Sequence, residues 1–210
     1  MPGRPPKPPV ADFNIPRFTQ ISEAHCGPAV AQMLLSNLGI DVTQEQVAEA
    51  GGVSEVIGTD GMRVDQIARA VRSLAPQAQF WFKENARLAD LIELVAHYRY
   101  PVGVEWQGLF TEPGVDEGES ETEDTDYGHY SVITHIDRRR RQLIIADPYK
   151  DYIAQARIFT FKELLERWWD TNEITDPETG KALLVEDYHM LFFVAPVEAE
   201  FPPELGLVRG

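Results

Sequence analysis

At Pro101 the hydrophobic pattern of this chain changes character, and that switch limits what it can build. Before Pro101, apolar residues recur at helical spacing; after it they come in short alternating or continuous runs typical of strands. With 210 residues, 43% of them hydrophobic, the chain can bury one sizeable core and reads as a single domain. That core has to join helices from the first half to strands from the second.

The helical half is punctuated clearly. Pro28 suits the opening turn of a helix whose apolar face is Val30, Met33, Leu34 and Leu38, with Gly39 as its stop. Thr43 and Gln46 stand at capping-box spacing before a second helix that ends at Gly51-Gly52. A third follows "GTDG" with Val64, Ile67, Ala68 and Val71 on one face. A fourth is capped by Asn85 and continues through Leu88, Leu91, Ile92 and Val95. Beyond Pro101, "PVGVEW", "HYSVITHI" and "QLIIADP" predict strands, with "IDRRRRQ" as the turn joining the last two. "TFKELLERWW" returns to helix and "YHMLFFVAP" reads as a late buried strand. His135 and His189 fall inside apolar strand segments, which suggests core histidines.

Three segments stand apart from the folded body expected over residues 13–195. Residues 1–12 hold a proline-rich arm, five prolines in the first ten positions, expected to be extended. Residues 111–126 place eight carboxylates within sixteen positions and are expected to form a charged, flexible loop directly before "YGHY". Residues 196–210 read as an irregular tail.

Charge and cysteine usage exclude several classes. The formal charge of −15, from 34 acidic and 19 basic side chains, repels nucleic acid and anionic membranes. A cationic peptide or protein substrate would be drawn in, although solubility alone also explains an acidic surface. No run is long and apolar enough for a membrane span, and "MPGRPPKPPV" lacks the apolar centre of a signal peptide, so a soluble, cytoplasmic protein is expected. A single cysteine excludes an intramolecular disulfide.

That cysteine, Cys26, lies in "QISEAHCGPAV", where the first helix begins. A helix N-terminus stabilises a thiolate, and a thiolate is the form that attacks. It needs a base and an orienter for that base. Of five histidines, His129 opens a strand after a glycine and a charged loop, where a partly exposed ring can face a helix end. His97 closes a helix, and His25, adjacent to the thiol, points elsewhere. Asp147 ends the strand after the arginine turn, so an antiparallel hairpin returns it beside His129, provided the register does not slip by one residue. Acyl transfer also needs oxyanion donors: the Cys26 backbone N–H is one, and the side-chain amide of Gln20, six residues upstream, could be another.

Gln20, "HCGPA", "GHY" and "ADP" together resemble, in order and spacing, the C39-like peptidases of the papain-like cysteine peptidase superfamily. The segment "GIDVTQEQVAEAGG…GTDG" is similar as well. The resemblance implies an α+β, papain-like fold with the cysteine helix packed on an antiparallel sheet. It implies Cys26 as nucleophile, His129 as general base and acid, Asp147 as orienter and Gln20 as oxyanion donor, without a cofactor. Members known for cleaving leader peptides after Gly-Gly are fused to membrane exporters, whereas this chain has neither membrane helices nor an ATP-binding loop, and His25 stands where an acidic residue is frequent. A non-catalytic peptide binder and a transglutaminase-like acyltransferase use the same groups, and a zinc site on His25 and Cys26 is poor on spacing.

Overall fold

The computed structural model describes residues 15–108, 128–154, 156–175 and 179–210. The proline-rich arm at 1–12 and the acidic loop at 111–126 lie outside the described residues.

Helices form where the apolar spacing places them. α1 spans Cys26–Ser36, α2 Gln44–Gly51, α3 Ile57–Asp60 and α4 Val64–Leu74. The capping box on α2 is present in both directions, Thr43 Oγ1 accepting from the Gln46 N–H and Gln46 Oε1 from the Thr43 N–H. Gly52 ends that helix in the left-handed conformation. "GTDG" contributes mainly to the short α3 rather than to a loop. α5, Leu88–Ile92, runs on as a π-helix over Glu93–Tyr98.

Asn85 is not the cap of this helix. It has φ 51° and its N–H donates to the Tyr188 carbonyl at 2.9 Å, while Arg87 is the residue before the first turn. Asparagine tolerates the left-handed region, and here it turns the chain out of a strand that the hydrophobic pattern does not announce, β1 at Ala78–Lys83.

The remaining strands are β2 Val102–Gln107, β3 Gly128–Asp137, β4 Gln142–Ala146, β5 Arg157–Thr160, β6 Trp169–Thr175, β7 Ala182–Tyr188, β8 Leu191–Pro196 and β9 Val208–Arg209; α6 spans Phe161–Arg167. Seven strands form one sheet in the order β5-β4-β3-β2-β8-β1-β9, every pair antiparallel. β6 and β7 make a separate hairpin. The tail is therefore partly ordered: Val208 and Arg209 extend the sheet edge beside β1.

Both faces of the sheet are covered, so β2 is buried at every position and β8 at all but Pro196. One core joins α1, α2 and α4 to Phe80, Tyr130, Val132, Ala146, Phe192 and Val194. The other joins α5, its π-helical extension and α6 to Trp106, Ile133, Leu143, Ile145 and Phe193. Alternation along each strand sorts the side chains between them. On β2, Val102, Val104 and Trp106 face the second core, which leaves Gly103 and Glu105 towards the first. Gly103 is small because the Phe192 ring lies there: a Cβ would come within 2.5 Å of its Cε2. His135 is exposed rather than in the core, for a reason that bears on the site.

Candidate active site

The turn at Asp137 ↔ Gln142 sets the β3–β4 register. Asp137 Oδ1 accepts the backbone N–H groups of Arg139 and Arg140, at 2.9 and 3.0 Å, and so closes the arginine turn. Continued regularly, that register would set Asp147 opposite Val132, on the face away from His129. A β-bulge between Ile133 and His135 takes up Thr134, and beyond it Val132 pairs with Ala146. Asp147 thereby falls on the face of Ser131 and His129. The same slip turns His135 outward.

The resulting contact is direct: His129 Nε2 lies 2.9 Å from Asp147 Oδ1, with the imidazole 3% exposed and the carboxylate fully buried. The ring is thus more enclosed than its place at a strand start suggests. Trp106 stands across from it with ring centroids 6.4 Å apart, and the Trp106 indole N–H donates to Ser131 Oγ at 3.1 Å. Asp147 Oδ1 also accepts the Tyr149 N–H at 2.9 Å, and its Oδ2 accepts from Arg157 Nη1 at 2.5 Å.

Arg157 is a functional candidate that the sequence pattern conceals. In β5 it points inward with Phe159 while Ile158 is 56% exposed, the reverse of what hydrophobicity suggests. Its guanidinium lies 3.8 Å from the Tyr152 ring centroid and 5.1 Å from that of Phe159. The signal that could have found it is the alternation itself, Arg157 being two residues from a core aromatic.

Cys26 opens α1, with no acidic residue in the first turn to oppose a thiolate. It packs at the margin of the first core, while His129 stands on the other face at the start of β3, within reach of Cys26 for a hydrogen bond. Burial works to lower the His129 pKa, but the Asp147 carboxylate, through charge and hydrogen bond, and then Cys26 override it, raising it from 6.5 to about 10. Burial pushes Asp147 the other way, and the imidazolium, the Tyr149 N–H and Arg157 hold its carboxyl below the ordinary value. His25 is turned away, its Nδ1 2.6 Å from Ser22 Oγ, and burial lowers its pKa against the pull of Glu45.

Both shifts enter folding stability with definite signs. A histidine raised on folding stabilises fully below about pH 6.5, and that contribution fades as pH climbs towards 10. An aspartate lowered on folding stabilises above its ordinary value of 3.8 and ceases to as pH falls below it. The pair therefore contributes most from about pH 4 to 6.5. Thermal melts of the protein and His129→Ala should differ most near pH 6, and the difference should narrow towards about pH 10 to the pH-independent packing loss; a gap that does not vary with pH would refute the linkage.

Gln20 is buried and ties the cysteine loop to the other half of the site: its N–H donates to the Pro148 carbonyl at 2.9 Å. Its side-chain Nε2 faces the carbonyls of Ser22 and Glu23 at 2.8 and 3.1 Å, and its Oε1 has no hydrogen-bond partner among the described residues. Among the described residues no three His, Cys, Asp or Glu side chains are grouped to hold a metal, and no helix is long and apolar enough to cross a membrane.

Beside Cys26 opens a cleft of about 570 Å³, with Met62, Glu105, Tyr130 and Asp170 among its lining residues. Asp170 comes so close to the backbone that a Cβ on residue 128 would stand 2.6 and 2.7 Å from its carboxylate oxygens. Glycine at 128, directly before His129, is what lets that carboxylate in.

Comparison with known proteins follows the geometry. The Peptidase_C39 like family model matches residues 13–175. No curated protein matches the sequence. Among solved structures, the chain is similar to the peptidase domain of Streptococcus ComA, a bi-functional ABC transporter involved in a quorum-sensing pathway. The TM-score is 0.53 at 18% identity, covering 85% of this chain and 96% of that one. It is also similar to a double-glycine-motif protease from an AMS/PCAT transporter in complex with the leader peptide, with a TM-score of 0.53 at 16% identity, covering 89% and 95%. At these identities the structures establish the fold, helices with an antiparallel sheet as in C39 papain-like peptidase domains, and the matched family model carries the assignment: this chain belongs to the C39-like peptidase family.

Proposed function

We propose that the chain is a cysteine peptidase or amide hydrolase working through a thioester on Cys26. The observation that carries this reading is the placement of one imidazole between a buried carboxylate on Nε2 and the only thiol of the chain. The Cys26 thiolate attacks the scissile carbonyl carbon and its π electrons move to oxygen. The Cys26 backbone N–H supports that oxyanion, with Gln20 as second donor once its amide gives up a carbonyl of its own loop. Collapse breaks the C–N bond as His129 delivers its proton to the leaving amine. His129 then takes a proton from water, whose oxygen displaces sulfur and releases the acid. Asp147 holds the ring and balances its charge throughout.

Peptides are its proposed substrates. Iodoacetamide should alkylate Cys26 readily at about pH 6, where an ordinary thiol is almost wholly protonated, and His129→Ala should remove that reactivity. Incubation with a peptide library followed by mass spectrometry should yield new termini that the Cys26→Ala protein does not produce. Fast labelling without any cleavage would leave a peptide binder or an acyltransferase in need of an amine acceptor.

A further inference from the structure

The cleft beside Cys26 contains a buried acidic group that the proposed hydrolysis does not use. Glu105 is 2% exposed on a strand whose every position is buried. Its Oε1 accepts from the Tyr130 hydroxyl and from Asn172 Nδ2, the latter at 3.4 Å. Its Oε2, equally buried, has no hydrogen-bond partner among the described residues. The neighbouring Asp170 is a second carboxyl group within hydrogen-bonding range of Glu105, and its Oδ1 also accepts from Gln107 Nε2 at 3.0 Å. A buried carboxyl oxygen that meets no donor is costly, and structural carboxylates are normally satisfied.

We infer that Glu105 and Asp170 form the floor of a subsite that receives the guanidinium or ammonium group of a basic residue in the peptide substrate. This rests on the peptidase reading and adds the substrate class. With about 570 Å³, the cleft has the volume to take a long side chain. Glu23, Asp60 and Glu173 also line it. Arg63, which also lines the cleft, has its Nε and Nη2 engaged by Asp65 at 3.0 and 3.1 Å. An incoming guanidinium supplies the N–H donors that Glu105 Oε2 lacks and can span both carboxyl groups.

The chemistry at sulfur agrees. Cys26, Glu105 and Asp170 all act electrostatically on Tyr130, so the acids lie within range of the nucleophile. Two carboxylates beside a thiolate oppose it. Burial favours a protonated Glu105, and a substrate cation allows both groups to ionise without adding net negative charge at the sulfur.

The test uses the full chain carrying Cys26→Ala, which binds without cutting. Fluorescein-labelled Ala-Gly decapeptides with one arginine walked along the sequence are compared with twins carrying neutral, isosteric citrulline. At one arginine position the expected preference is about tenfold or more in Kd, the usual scale of a charge-assisted hydrogen bond. Adding Glu105→Gln should reduce it to about twofold or less, and Asp170→Asn should weaken it, each variant being checked by thermal melt. If one variant does not fold, the other decides. Equal binding of arginine and citrulline peptides overturns the subsite whatever the variants do, as does a preference that survives in both folded variants. The two readings fail separately: cleavage by the unmodified chain without charge preference leaves the peptidase and removes the subsite, whereas arginine-selective binding without cleavage does the opposite.

Discussion

Asp147→Asn is expected to lower peptide turnover by about ten-thousand-fold while the chain still folds. In the proposed mechanism Asp147 Oδ1, 2.9 Å from His129 Nε2, holds the proton on that nitrogen and leaves Nδ1 for exchange with the thiol. An amide at 147 can turn its NH2 towards Nε2 and so favour the tautomer with the proton on the wrong nitrogen. It also removes the negative charge that raises the His129 pKa towards about 10. Turnover and iodoacetamide labelling measured across pH separate the two effects. A lost charge moves the pH profile to lower values, and a wrong tautomer depresses it at every pH. Turnover within about tenfold of the parent would remove Asp147 from the mechanism.

Arg157→Met should have the largest effect on stability, a loss of about 3–5 kcal/mol. The guanidinium is 5% exposed and pairs with a carboxylate that is fully buried, so deleting it leaves Asp147 with one oxygen stripped of its charged partner. Methionine fills much of the volume beside Tyr152 and Phe159, which isolates the electrostatic part. Arg157→Lys should recover the charge but not the planar stacking, and fall between the two. Urea unfolding measures both. In the proposed mechanism Arg157 positions Asp147, so the Met protein should also show a pH–rate profile altered through Asp147 and His129. A loss below about 1 kcal/mol would mean that Asp147 is satisfied without it.

These two residues show how unevenly the site was legible in the sequence. Cys26 at a helix start, His129 at a strand start and Asp147 after a turn could be read because each sits at an element boundary marked by glycine or proline. The convergence of His129 and Asp147 was legible only up to the register of the hairpin: it depends on one bulged residue, Thr134, and nothing in the pattern around it announces the bulge. Arg157 and Glu105 were hidden for a shared reason. Each occupies an inward position on a short strand, where a charged letter is ordinarily taken for a solvent-facing one. The helical half was read well because caps and stops are local chemistry, as at Thr43 and Gly52. β1 was missed because the polar Gln79 and Lys83 interrupt it, and its strand character comes from pairing with β8, over a hundred residues away in sequence.

The two hydrophobic layers have a consequence for heat. Sulfur is anchored with one layer, while imidazole, carboxylate and guanidinium are anchored with the other, and Gln20 to Pro148 is a direct main-chain link between their loops. Warming that lets the layers slide by a fraction of an ångström would uncouple Cys26 from His129, the proposed nucleophile and base, long before either layer melts. Inactivation should accordingly run several degrees ahead of the loss of circular dichroism, and it should reverse on cooling.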